Sequence, residues 1–252
     1  MSKSEDFFSY QNTVHEVTRK DYDQTLNYLE PIKAFARTTN KSICVIDYQK
    51  KGFEFVSNHP LFLCGHSGEE VQALGYEFYL KYVLKEDLDL LLKVNTVGFD
   101  FYDQIPLEER KKHIISYDFR LKNNDNKVIM VHQELTPLFL ADNGKIWKAL
   151  CIISLSTASN SGNIEIYKDG DNKIFKYDLE TECWKTAAKI ELNDRELEIL
   201  RYSARGFTTN EIAEVIFISP DTVKFHRKKL FEKLDVSNIS EAIAVLSNNR
   251  LL

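Results

Sequence analysis

Glycine and cysteine are scarce in this chain, and long apolar runs are missing. Nine glycines are spread over 252 residues. None falls in either of the common Gly-rich patterns that cradle a phosphate, so nucleotide chemistry of those kinds is not indicated. The four cysteines, Cys44, Cys64, Cys151 and Cys183, include no CxxC pair, and their spacing suits neither a zinc site nor a disulfide framework. HExxH is absent. His15, His59, His66, His113 and His132 show no ligand spacing, and the short Cys64/His66 pair cannot complete a metal site alone. No metal and no cofactor are expected. The longest near-apolar run, Ala149 to Leu155, has seven residues with only Ser154 polar, far below the roughly 20 of a membrane helix. The opening MSKSEDFF has no basic region followed by an apolar stretch. A secretory signal is therefore not expected, and a cytoplasmic location is.

What is present is an ordinary soluble composition, 43% hydrophobic and 28% charged. It is large enough for one big domain or two ordinary ones. The charge is unevenly placed. The formal net charge is -5, yet Ala187 to the end holds 10 basic and 10 acidic residues. The whole excess of acid lies before it. Within the neutral part, Ser219 to Leu234 gathers Lys224, Arg227, Lys228, Lys229 and Lys233 against only Asp221 and Glu232. Such patterning suits a local anionic partner better than general solubility.

Apolar periodicity organises the first 157 residues. Tyr22, Leu26, Leu29, Phe35 and Ala36 recur near helical spacing and predict a helix over 19–38. SICVIDY (Ser42 to Tyr48) and GFEFVS (Gly52 to Ser57) read as strands joined by the polar turn QKK. Short helices follow over 60–103, with Glu86 to Val94 the clearest. Three more strands then form a meander, His113 to Leu121, Lys127 to Leu140 and Ile146 to Ser156, divided by NNDN and DNG turns. After the small polar stretch TASNSGN, residues 164–186 read as a hairpin around DGDN, with Ile164, Ile166, Ile174, Phe175 and Tyr177 alternating. A lone hairpin is marginal in water, so it must pack on something: the sheet, a partner subunit or the C-terminal region.

This order resembles a PAS domain over roughly residues 30 to 157. The resemblance is carried by Ser42 to Val71, with Gly65 and Glu69-Glu70 in place, and by Gly75 to Leu91, with Glu86-Asp87 opening a helix. It implies a sensor or dimerisation module whose sheet and helices enclose a pocket. Ile43, Val45, Phe55, Phe62, Phe78, Leu88, Val131 and Ile152 are the candidate lining. All are aliphatic or aromatic, which suits a packed core as well as a cavity. Asp47 is not read as a phospho-acceptor, because the alternating strands and helices of a receiver domain are missing. Nor is there the cysteine motif of a flavin photosensor, the Trp, Tyr and Asp pattern of an acyl-homoserine-lactone receptor, or a convincing haem histidine.

From Ile190 the pattern is helical. Asn193 to Glu196, Thr208 to Glu211 and Asn238 to Glu241 each read as a capping box. Gly206 suits a left-handed helix end. Ser219 caps the basic helix, and Pro220 occupies its first position. Two helices joined by a short turn, the second one basic, form a helix-turn-helix. At about 100° per residue, Val223, Leu230 and Leu234 share one side of that helix. Lys224, Phe225 and Lys228 share the other, with Asp221 and Lys229 beside them. Arg227 lies nearer the buried side, its stem packed and its head expected to reach outward. A merely solvated basic face is the plainer alternative, and the capping boxes at helix-turn-helix spacing count against it.

Leu192 to Ala242 resembles the LuxR/FixJ-type DNA-binding domain of bacterial regulators. The matching residues include Arg195-Glu196, Gly206, Glu211-Ile212-Ala213, Ile218-Ser219, Thr222-Val223-Lys224, His226, Lys233-Leu234 and Glu241-Ala242. The resemblance implies four helices, the third in the major groove and the fourth often a dimer contact. It implies base contacts from Lys224, Phe225 and Lys228, and phosphate contacts from Thr209, Ser219, Thr222, Arg227 and Lys233. Asn210 replaces a residue that is basic in many members, which weakens one phosphate contact. Ile239 replaces a frequent Arg. For His226 a structural hydrogen bond is favoured over proton chemistry.

The expected fold is α+β. A helical extension (1–29) precedes a PAS-like antiparallel sheet with helices (30–157), a linker and hairpin (158–186) and an all-α four-helix domain (187–252). The expected function is DNA-binding transcription regulation, not enzymatic turnover. The expected partners are double-stranded DNA and a second copy of the chain, with RNA polymerase and an unidentified small molecule as further options, and no membrane. The competing readings are a protein-interaction module and an enzyme working in the PAS-like pocket, for which no catalytic constellation is present.

Overall fold

The computed structural model describes residues 4–8, 12–14, 17–25 and 27–248. His15 and Leu26, both named above, lie outside them. The chain divides into two units, Met1–Ala187 and Ala188–Leu252.

In the first unit the strands are β1 (Ser42–Asp47), β2 (Gly52–Val56), β3 (His113–Lys122), β4 (Val128–Leu140), β5 (Ile146–Leu155), β6 (Gly162–Lys168), β7 (Lys173–Asp178) and β8 (Cys183–Ala188). They form one sheet in the order β2-β1-β5-β4-β3-β6-β7-β8. The helices are α1 (Arg19–Gln24), α2 (Leu29–Thr38), α3 (Pro60–Leu63), α4 (Gly68–Leu74), α5 (Glu77–Tyr82) and α6 (Lys85–Gln104). This sheet with stacked helices is the arrangement the PAS resemblance implies. The helix expected over 19–38 is broken in two, with Asn27 between the pieces in the left-handed region at φ 63°.

Alternation in the strands decides which side chains meet the helices. Cys44, Ile46, Phe53, Ala149, Cys151 and Ile153 join Phe62, Phe78, Val94 and Phe99 in one core. β1 is buried along its whole length, so its other side chains, Ile43 and Val45, are buried on the opposite face. Ile152 pairs with Ile43, and Phe55 with Val45. Cross-strand partners share a face. The candidate pocket set is corrected accordingly. Phe62, Phe78 and Val131 lie in the core and Leu88 packs against it, whereas Ile43, Val45, Phe55 and Ile152 face away from it. Between α6 and the sheet there is a cavity of about 20 Å³ bordered by Tyr48, Val94, Gly98, Phe99 and Tyr117, room for about one water.

The outward face is crossed by the N-terminal segment. The ring of Tyr22 meets Trp147 edge-on at 5.5 Å and that of Tyr28 meets Phe139 at 5.0 Å. Beneath them Lys148 is 2% exposed. Its ammonium lies 2.7 Å from Glu54 and 3.8 Å from Asp47, over the ring of Trp147 at 4.8 Å. Two carboxylates and an aromatic face thus offset the desolvation of a buried side chain of this kind.

Within residues 158–186, expected as a linker and a hairpin that packs on the sheet, a partner subunit or the C-terminal region, the strands from Gly162 onward join the sheet. β6 pairs antiparallel with β3, Ile115 opposite Ile166, and β7 and β8 follow. Ile164 and Ile166 enter the core. Phe175 and Trp184 close on Phe101 of α6 at ring distances of 4.9 and 5.0 Å, and Lys93 pairs with Glu182. The connection is pinned as well: Ser161 Oγ donates to Asp87 at 2.7 Å and Asn163 Nδ2 to Asp118 at 2.8 Å. At the other edge β2 is sealed. Gln72 Nε2 donates to the Glu54 carbonyl at 2.9 Å, and Gly68 lies so close that a Cβ there would stand 2.5 Å from the Val56 carbonyl oxygen.

The second unit has four helices, α7 (Asp194–Ala204), α8 (Thr209–Val215), α9 (Pro220–Leu234) and α10 (Ile239–Asn248). Its core has two parts. Ile199, Ile212, Ala213, Ile216 and Val223 form one, and Leu200, Leu230, Leu234, Ala242 and Leu246 the other. Both parts draw on α7 and α9, which hold the unit together.

Candidate nucleic-acid interface

Local chemistry sets each helix start in the second unit. Asn193 Oδ1 accepts from the Glu196 N–H at 2.9 Å, and Glu196 Oε2 accepts from the Asn193 N–H at 2.9 Å. Thr208 and Glu211 repeat the exchange at 3.3 and 2.7 Å. Each pair satisfies backbone donors that a helix start leaves free. Before α10, Asn238 accepts from Glu241, but Glu241 reaches back one residue further, to the N–H of Ser237 at 2.8 Å. Between α8 and α9 the chain turns at Phe217, whose φ is 55°. The Ser219 hydroxyl then accepts from the Thr222 N–H at 3.1 Å, and Pro220 opens α9 where its missing donor costs nothing.

α9 has two faces. Val223, Leu230 and Leu234 are buried, as the spacing predicts. Outward stand Lys224 and Lys228, whose side chains are 67% and 78% exposed, and Phe225 at 53%. Their neighbours tether them loosely. Lys224 pairs with Asp221 at 3.0 Å and Lys228 with Glu232 at 3.8 Å, and Lys229 lies over the Phe225 ring at 4.6 Å. Exposed pairs of this kind are worth little and are easily exchanged for a stronger anion. Asn210 is exposed in the first turn of α8, and Ser219 is exposed at the head of α9.

Two of the expected phosphate contacts point elsewhere. Lys233 is bound to Glu196 of α7 at 3.0 Å. Burial pulls that carboxyl upward, but the Asn193 N–H and the Lys233 ammonium outweigh it and hold Glu196 below the ordinary glutamate range. The Arg227 head, expected to reach outward, turns inward. It donates to Ser203 Oγ at 2.8 Å and to Thr209 Oγ1 at 3.1 Å, and its burial lowers the guanidinium pKa. The His226 ring has no hydrogen-bond partner among the described residues. It lies against Phe225 at 5.7 Å, which replaces the structural hydrogen bond expected for it. Neither inward pairing has a sequence signal, since the partners are 18 to 37 residues away.

The outward face therefore offers three cations around an aromatic ring, Lys224, Lys228 and Lys229 about Phe225, on a helix anchored from behind by Val223, Leu230 and Leu234. Such a face can donate to guanine edges or phosphates and press on a thymine methyl. Residues 191–246 match the family described as bacterial regulatory proteins, luxR family. Over 61 residues the chain is 44% identical to the transcriptional regulatory protein LiaR of Bacillus subtilis, covering 24% of this chain and 29% of that protein. Over 66 residues it is 32% identical to the transcriptional activator protein PhzR of Pseudomonas fluorescens, covering 26% and 27%. The chain thus spans less than a third of the length of these curated relatives. Among solved structures, a complex of Vibrio cholerae VqmA with ligand and DNA is matched at 17% identity and a TM-score of 0.32, over 88% of this chain and 87% of that one. A PAS domain from Colwellia psychrerythraea is matched at 17% identity and a TM-score of 0.37, over 52% and 98%.

Proposed function

We propose that this chain, whose carboxy-terminal unit is a LuxR-family helix-turn-helix domain, is a sequence-specific transcription regulator that binds DNA as a homodimer. α9 enters the major groove. Lys224, Phe225 and Lys228 read base edges, and Thr209, Ser219 and Thr222 take phosphates, with Asn210 beside them. The observation that carries this reading is the outward face of α9: exposed Lys224, Lys228 and Lys229 surround an exposed Phe225, while Val223, Leu230 and Leu234 fix the helix from behind.

A selected duplex and a salt series test it. The double variant Lys224→Ala, Lys228→Ala loses affinity, and its salt slope becomes shallower by about 0.9 for each phosphate that a lysine no longer neutralises. Unchanged binding overturns the assignment. Affinity that ignores duplex sequence but follows a partner protein would favour the interaction-module alternative instead.

For the first unit we favour dimerisation. α2 supports it, because none of its residues is buried. Its half-buried stripe is Leu29, Ile32 and Ala36, and its exposed stripe is Pro31, Ala34, Phe35 and Thr38. Glu30 and Arg37 stand two turns apart on one flank of that exposed stripe. In an antiparallel pair of α2 helices related by a twofold axis, Glu30 of each copy meets Arg37 of the other. The surface is thus complementary to itself, as an isologous interface requires. Small-molecule sensing is the second reading. It is favoured by Gln133, 1% exposed, whose Oε1 has no partner among the described residues while its Nε2 donates to Tyr117. Native mass spectrometry separates the two: extra mass that disappears on denaturation favours sensing, and a dimer at bare polypeptide mass favours dimerisation.

A further inference from the structure

Arg227 lies beside Lys228 on α9 but points the other way. Its Nη2 donates to Ser203 Oγ on α7 at 2.8 Å, and its Nη1 donates to Thr209 Oγ1 at the start of α8 at 3.1 Å. One guanidinium therefore joins three helices. The two hydroxyls are left in different situations. A hydroxyl that accepts from a guanidinium still has its own proton to give. Ser203 gives its proton to the Ile199 carbonyl at 2.7 Å. Thr209, half-exposed, has no acceptor for its proton among the described residues.

We propose that Arg227 is a positioning residue of the DNA interface. It seats α9 on α7 and α8, and it fixes the Thr209 hydroxyl as a hydrogen-bond donor to a DNA phosphate without touching DNA itself. The proposal rests on the DNA-binding reading above. Its chemistry is specific to arginine. The planar fork spans two hydroxyls on different helices, whereas a lysine ammonium carries the same charge at one point. A direct phosphate contact would in addition release a counterion and so contribute to the salt slope, which a positioning role does not.

The test uses the full chain and a duplex that the wild type selects from a random library. Arg227→Lys, Arg227→Met, Thr209→Val and the pair Arg227→Lys, Thr209→Val are titrated over a salt series, and each is checked by thermal melting. Each single variant is expected to weaken binding about 10-fold, the scale of one missing hydrogen bond. The pair is expected to weaken it no further, because both changes remove the same interaction. Arg227→Met is expected to keep the wild-type salt slope. Wild-type affinity in Arg227→Lys, a slope lower by about 0.9 in Arg227→Met, or roughly 100-fold weakening in the pair each overturns the proposal. If Arg227→Met does not fold, the lysine and valine cycle decides alone. A wild type that selects no duplex fails the DNA-binding reading itself, an outcome distinct from all of these.

Discussion

Glu196 illustrates how a residue can serve two elements at once. It caps α7 through the Asn193 N–H and anchors α9 through Lys233. The cap was legible, because a capping box is a matter of spacing three residues apart. The anchor was not, because an ion pair across 37 residues leaves no local mark. The same holds for Arg227. Its position on the wheel placed the stem correctly but not the head, whose acceptors Ser203 and Thr209 sit on other helices. The pairing of Glu196 also fixes a pH dependence. Its native pKa is depressed, so the unfolded chain binds its proton more readily. The stability it contributes is present above the ordinary glutamate value and is lost as pH falls through the lowered native one. Urea midpoints of the second unit's transition, followed from neutral pH into acid, are expected to fall for the wild type. Glu196→Gln is expected to start lower and to converge with it. Parallel curves would remove Glu196 from the account.

Among the elements, the two faces of α9 were readable from its angular spacing alone, and the strands of the first unit from alternation and turns. β1 was not readable in the same way. Both of its faces are apolar, so alternation carries no information, and the candidate pocket mixed residues from opposite sides of the sheet. The hairpin expected after residue 163 was seen without its partner, because pairing with β3 depends on the register Ile115 to Ile166 and not on anything near the turn. β8 was merged into that hairpin. At the opposite edge, α4 approaches β2 closely enough that only glycine fits at position 68. Gly68→Ala drives a methyl against backbone that cannot easily yield, and overpacking of this kind costs about 1–3 kcal/mol. The urea midpoint of the first unit is expected to drop at unchanged m-value. A neutral result would mean that α4 can slide along β2.

At the scale of the whole molecule, the acid excess belongs to the first unit's sequence and the concentrated basic face to α9. The sequence divided these two characters near residue 187, close to where the fold divides. The self-complementary flank of α2 makes the proposed dimer testable by charge exchange. Glu30→Arg or Arg37→Glu alone brings like charges together twice across the twofold axis and is expected to raise the dimer dissociation constant about 10-fold, each exposed pair being worth up to about 1 kcal/mol. The two changes together are expected to restore it. Sedimentation of all four proteins over a concentration series checks this, and dimers of equal strength would move the interface elsewhere.

The strands β6, β7 and β8 bear on how such chains can be recombined. They cover the β3 edge and the Phe101 side of α6, so they are part of the first unit's own closure rather than a tether to be lengthened or replaced. A natural exchange of amino-terminal halves between chains of this plan has its workable seam at residue 188. An exchange at residue 157 would leave behind the cover that the transferred half needs, with an open sheet edge and bare aromatic rings facing water.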